Sequence, residues 1–243
     1  MKLLLLSLLL AESLLCTAFL VATKPSSRII NCDDPEAHEA ALEALHYINA
    51  HHHHGYKHAL NRVENVNILS ETANGEIMLM ELDLLETKCP WVSPTPVESC
   101  PVRPIIEQAV EGDCKVKLQK QNGSFTVLGV RCKSEPDSAE NIHKVCTTCP
   151  LLALLNNTQV THAVDQALLH FNRDNSTVFY RLHEIGRAQI QGAPENRVSV
   201  EFIIAASNCS IEEANSALDS CVVLTGDGAG QGQISHKATY ATA

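Results

Sequence analysis

Glu81 and Asp83 stand two residues apart in a run where Met78, Met80, Leu82 and Leu84 take the other parity. In an extended strand that spacing puts both carboxylates on one face, about 7 Å apart. Glu76 and Glu86 flank them near the ends of the run. Carboxylate oxygen suits calcium, a hard cation, so a flat row of such groups could meet a row of surface ions. The same pattern also describes an ordinary solvated face of an amphipathic strand. His51 to His54 form a tetrad that could bind transition metals by composition. A free loop of histidines lacks the fixed geometry of a metal site, so a solvent-exposed loop is expected there. His46 and His58 are expected on a surface or a helix face. No serine, histidine or acid sits in a nucleophile elbow, a metal-ligand spacing or a phosphate loop. The residues therefore point to a binding protein, not an enzyme, with no cofactor, and the pattern by itself leaves calcium binding and a plain solvated face both open.

The compartment follows from the first residues. Met1-Lys2 is a short basic start, Leu3 to Leu10 is nearly all leucine, and Cys16-Thr17-Ala18 offers small residues for cleavage after Ala18. That layout is a signal peptide over 1–18, and implies a secreted, extracellular protein. No other stretch has the roughly 20 apolar residues a membrane span needs. Ten cysteines suit an oxidising destination. Eight fall into local neighbours: Cys89 with Cys100, Cys114 with Cys132, Cys146 with Cys149, and Cys209 with Cys221. Sequence alone does not prove connectivity, but this is the simplest layout. Cys32 is left unpaired or available to another chain. A formal net charge of −10 argues against nucleic acid as a partner. Asn122, Asn156, Asn175 and Asn208 head glycosylation sequons, Asn208 the least suited because it adjoins a paired cysteine. Ser138 begins a Ser-x-Glu phosphorylation pattern, with Ser134 a weaker companion; phosphate there would add negative charge.

An internal repeat supplies the elements that position these groups. Ala44-Leu45-His46-Tyr47-Ile48-Asn49 echoes Ala167-Leu168-Leu169-His170-Phe171-Asn172. In both copies a Tyr-containing segment follows, then an alternating strand that ends at a cysteine, Cys89 or Cys209. Asp34 suits an N-cap with Pro35 at the first helical position, and Ala41, Leu45 and Ile48 recur at helical spacing. Val160, Ala163, Val164, Ala167, Leu168 and Phe171 trace the stripe of the second helix. Cys114 to Cys132 reads as a hairpin turning at Asn122-Gly123. A long helix with an antiparallel sheet is an α+β architecture. Lys133 to Glu140 reads as polar and helix-poor, within a linker over 134–149 that ends in Cys146-Thr147-Thr148-Cys149, a small structural loop.

Helix, strand, then two consecutive disulfide loops is the layout of cystatins, and the doubled module with its C-x-x-C link resembles the fetuins. The resemblance is carried by Asn31-Cys32-Asp33-Asp34-Pro35-Glu36, Gly55-Tyr56-Lys57-His58 and Ala109-Val110-Glu111-Gly112-Asp113-Cys114. Pro136-Asp137-Ser138-Ala139-Glu140 and Cys149-Pro150-Leu151-Leu152-Ala153 add to it. It implies two tandem cystatin-like modules, 27–133 and 150–225, the second truncated, with 226–243 a divergent Gly-rich tail. It also implies that calcium ions and calcium phosphate mineral are the partners, met by the first-module strand bearing Glu81 and Asp83, and that mineral growth is inhibited. Leu79 stands where the family has an acid. Cys32 would bond to a cysteine in a third region of the family. Asn156 and Asn175 match family glycosylation positions.

Two further activities attach to the family. Gln108-Ala109-Val110-Glu111-Gly112 matches the Q-x-V-x-G of papain-inhibiting cystatins, but lies between the disulfide loops instead of before them. One fetuin branch reaches the zinc of astacin-type proteases with an aspartate between the paired cysteines, where this chain has Thr147 and Thr148. The Cys114 to Cys132 hairpin, basic at Lys115, Lys117 and Lys120, is the segment likened to a transforming growth factor-β receptor. Growth factors of that class are therefore an alternative partner, and endopeptidases a second.

Overall fold

A computed structural model describes residues 27–72, 75–174, 177–224 and 233–241. The leader and Asn175 lie outside them. The repeat appears as two helix-on-sheet units. In the first, α1 (Pro35–His51) is started by Asp34, whose side chain accepts the Glu36 N–H at 2.8 Å, with Pro35 in the first turn. Its buried face is Ala37, Ala40, Ala41, Ala44, Leu45 and Ile48. Four alanines among six contacts let the helix axis come close to the sheet. That sheet is antiparallel, in the order β1 (Ser27–Ile29), β2 (Tyr56–Thr72), β3 (Gly75–Pro90), β4 (Val110–Gln121) and β5 (Ser124–Pro136). Met78, Met80, Leu82 and Leu84 are buried under α1 with Val116 and Leu118 of β4, as the period-two pattern predicts. The β4–β5 hairpin turns at Asn122 (φ 53°) and Gly123 (φ 82°). Two consecutive positive φ angles are what a tight hairpin matching the strand twist requires.

The second unit repeats the plan with α3 (Thr158–Asp174) on β6 (Leu151–Leu152), β7 (Tyr180–Gln191), β8 (Arg197–Ala206) and β9 (Gln233–Ala241). Val160, Ala163, Val164 and Ala167 pack on Val198, Val200, Phe202 and Ile204. Two expectations change here. The linker is more structured than expected: β5 runs to Pro136, and α2 (Ala139–Val145) follows, capped by the Ser138 side chain on the Asn141 N–H. Short polar helices carry little periodic signal, and this one shows itself only through its cap. The chain after residue 225 is also not wholly divergent, because β9 pairs with β8 from Arg197↔Ala241 to Ala205↔Gln233. An unpaired β8 would leave a hydrophobic edge with unsatisfied backbone groups; the glycines preceding β9 masked its alternating pattern. A further helix, α4 (Ile211–Ala217), lies inside the second disulfide loop and is capped by a reciprocal Ser210–Glu213 box.

The repeated asparagine has a structural task in each unit. Asn172 Nδ2 donates to the Tyr180 carbonyl at 2.9 Å while the Tyr180 N–H donates back to Oδ1 at 2.8 Å. Asn49 and His58 make the same reciprocal pair, both bonds at 2.8 Å. Each amide therefore ties a helix end to the first residues of the next strand. Asn172→Ala should cost on the order of 2 kcal/mol, since Tyr180 would lose both partners at a largely buried site. Urea unfolding of that variant checks it; a loss within experimental error would contradict this role.

Candidate functional site

The structure divides the four carboxylates expected to act together. Glu81 and Asp83 point to the sheet face away from α1, with Leu79, which is 37% exposed. Glu76 and Glu86 have the opposite parity, that of the apolar residues. Glu76 lies beside Arg28 at 3.5 Å. Glu86 is only 4% exposed and is engaged by two arginines, so it presents no carboxylate to solvent and is withdrawn from the mineral-contact set. Lys115 neutralises Glu81 at 2.8 Å, and the hydrogen bond it gives holds the Glu81 carboxyl below the usual range. Asp83 is recessed beneath Asn61 and Arg62, at 2.7 and 3.2 Å.

Two acids missed in the linear pattern complete this face. Asp113 of β4 stands directly opposite Asp83 of β3, and Glu111 lies two residues along the same exposed face. Burial, then the charges of Asp137, Asp83 and Asp113, push the Glu111 carboxyl up. Like charges opposed across a ladder are destabilising. The fold therefore holds a concentration of negative charge at this end of the face that a cation would relieve. On its β5 side Asp113 stands opposite Lys133, which also pairs with Glu135, and toward the other end Lys115, Lys117 and Arg131 give the face a basic half. Among the described residues, no three His, Cys, Asp or Glu side chains converge to hold a single metal ion. The face offers an array of charges, not a chelating cage.

Glu86 belongs instead to a charged seam between the two units. Arg187 Nη1 donates to both Glu86 oxygens at 2.9 Å, and its other amino group donates to the carbonyls of Glu107 and Gln108. Arg103 lies 3.3 Å from Glu86 and donates to Glu107 and Glu201, each at 2.9 Å, while stacking over the Tyr56 ring at 4.7 Å. The Tyr56 hydroxyl donates to Glu201, and Lys237 of β9 pairs with Glu201 at 2.8 Å. Burial and the adjacent Glu201 carboxylate raise the Tyr56 hydroxyl far above its ordinary range. Gln108 also lies in the seam, accepting the Leu152 N–H at 2.6 Å and donating to the Asp137 carbonyl at 2.7 Å. The Gln108 to Gly112 string is thus spent on module packing and strand β4, and offers no exposed loop to a protease.

Burial alone would raise the Glu201 carboxyl, but hydrogen bonds from Arg103, Lys237 and Tyr56 outweigh it and hold the group at about 2. A carboxyl depressed on folding gives stability that is full above its unfolded value near 4.5 and lost as pH falls towards 2. Glu201 should therefore contribute roughly 2–3 kcal/mol to acid sensitivity in that window, allowing for partial solvent screening. Glu201→Gln should flatten the fall in unfolding free energy between pH 4.5 and 2; an unchanged pH profile would contradict it.

Four disulfides join Cys89 to Cys100, Cys114 to Cys132, Cys146 to Cys149 and Cys209 to Cys221. Cys114 and Cys132 are register partners, and their bond crosslinks the hairpin four pairs short of its open end at Val110 and Pro136. Cys32 is a free, half-buried thiol packed against the first core. Asn122 and Asn156 are exposed, as are Ser134 and Ser138. Asn208 is used by the fold, its Oδ1 accepting the Val222 N–H at 2.7 Å. No described helix is long and apolar enough to cross a membrane.

Paired helix-on-sheet units stapled by consecutive disulfide loops define a cystatin-fold protein. Residues 150–238 match the Cystatin domain model, which runs into β9 and so takes in the fourth strand of the second sheet. The crystal structure of mouse fetuin-B aligns with a TM-score of 0.70 at 27% identity, covering 76% of this chain and 62% of that one. Mouse fetuin-B in complex with crayfish astacin aligns with a TM-score of 0.71 at 23% identity, covering 89% and 74%. In sequence the chain is homologous to alpha-2-HS-glycoprotein, or fetuin-A, at 43–48% identity. The Ovis aries protein is 48% identical over 182 residues, 75% of this chain and 50% of that protein. The chain spans about half the length of the curated relatives it matches.

Proposed function

We propose that this chain is a secreted binding protein that adsorbs to calcium phosphate through the outer face of β3 and β4 and restrains mineral growth. The observation that carries the reading is the exposed pair Glu111 and Asp113 on one face of β4, with Asp113 opposed to Asp83, which is itself only 6% exposed and adds charge from beneath instead of a contact. Strand geometry sets these carboxylates at about 5 Å across and about 7 Å along the sheet. Such an array suits hard cations at a surface. Calcium phosphate presents phosphate as well as calcium, and the basic half at Lys115, Lys117 and Arg131 supplies groups for it. Homology to alpha-2-HS-glycoprotein supports the same reading. The Cys146 to Cys149 loop argues against zinc-protease inhibition, since its exposed residues are Thr147 and Thr148. Their hydroxyls are poor zinc ligands beside a carboxylate.

Carboxyl footprinting of the protein on calcium phosphate particles tests the location. Labelling of Glu111 and Asp113 should fall on adsorption, while the exposed Glu98 and Glu195 keep theirs. Protection elsewhere with Glu111 and Asp113 still labelled would overturn the assignment.

A further inference from the structure

The histidine tetrad does not hang free. It runs from the end of α1 into the start of β2, and the structure lays it along the seam between the two units. The His52 and His58 rings approach to 5.6 Å between centroids, edge to face at 81°. Two imidazoles bound to one tetrahedral ion through nitrogens about 2 Å from it place their centroids roughly 5 Å apart. The pair is therefore close to the separation that one ion requires. His58 Nδ1 is buried and has no hydrogen-bond partner. Both residues line one cavity of about 340 Å³ at the seam, with Tyr56 and Gly186. Arg187 on the same cavity is already engaged by Glu86.

His54 and Glu184 lie close enough to His52 for their charges to act on it. The His54 side chain is 84% exposed, and its Nδ1 lies 3.7 Å from Glu184 Oε2. Glu184, from β7 of the second unit, is itself fixed by the Gly55 N–H and the Trp91 indole N–H, both at 2.8 Å. A carboxylate behind a histidine is the usual partner that sets the tautomer and orientation of a metal-bound ring.

We propose that His52, His54 and His58 bind one divalent transition-metal ion, of the zinc, nickel or copper class, with Glu184 of the second unit orienting His54. Imidazole donors suit these ions and not calcium, so the site is separate from the acidic sheet face and does not rest on it. Rotation of His54 completes the set, since no three ligands converge as placed among the described residues. Because its ligands and their anchor come from both units, the ion would fasten them together.

The test uses the untagged full chain, titrated with ZnCl2, NiCl2 and CuCl2 by calorimetry and followed by thermal unfolding. One ion should bind per chain, and Tm should rise roughly 5–10 °C at a hundredfold excess over Kd. His52→Ala and His58→Gln should each weaken binding at least tenfold, and Glu184→Gln about tenfold or more. Full affinity retained in Glu184→Gln and His58→Gln, but lost in His52→Ala or His54→Ala, would mean chelation by the loop alone and overturn the proposal. So would absence of binding at millimolar metal. Should His58→Gln not fold, Cu2+ broadening of the His58 imidazole proton resonances in the wild type decides the same point: broadening supports the site, and unaffected lines overturn it.

Discussion

Arg187→Met is expected to destabilise the protein by about 3–5 kcal/mol, the usual cost of removing one partner from a buried ion pair. Its side chain and that of Glu86 are both buried, so neither can recover hydration when the other is lost. Glu86 would keep the Val110 N–H and a more distant Arg103, while the Glu107 and Gln108 carbonyls would lose a charged donor. Arg103 and Glu201 share the network, so the effects of further substitutions should not add. Replacing Arg187 and Glu86 together with apolar residues of similar volume should cost much less than the single change, since no buried charge is then left alone. Urea unfolding of the single and double variants measures both. A single-variant loss under 1 kcal/mol would show that the seam is hydrated and that the two units are held together elsewhere.

Much of the fold was legible because local physics set it. The Asp34-Pro35 start, the alternation from Met78 to Leu84 and the Asn122-Gly123 turn each appear where their chemistry requires. The doubled string ending in Asn49 and Asn172 marked equivalent positions, though nothing in the string shows that both amides clasp the following strand. What the sequence hid is tertiary. Glu86 reads as one more surface acid, and only the arrival of Arg103 and Arg187 from distant segments makes it an interior anchor. Glu111 and Asp113 sit two apart like Glu81 and Asp83, a signal that was present. The same residues overlap the Gln108 to Gly112 string, whose match to an inhibitor motif masks the alternation. The histidine tetrad is exposed, as a loop of that composition should be, but sequence cannot show that His58 and Glu184 lie against it. β9 was lost behind glycines.

The central claim is that the outer face of β3 and β4 binds mineral, and the charge that matters most there is carried by its exposed acids. Removing Glu111 and Asp113 together should abolish most of the activity while relieving repulsion with Asp83. Glu111→Gln with Asp113→Asn should therefore be as stable as the wild type, or up to about 1 kcal/mol more so. A gain or tie in stability combined with lost activity separates a binding role from a structural one. Glu81→Gln should matter less, because Lys115 already neutralises that carboxylate. The measurement is the lag before calcium phosphate precipitates from supersaturated solution, with no protein, wild type or the double variant present. The wild type should lengthen the lag several-fold, and the double variant should return it most of the way to the protein-free value with Tm undiminished. A double variant that delays precipitation as long as the wild type, or a wild type that does not delay it, would contradict the account.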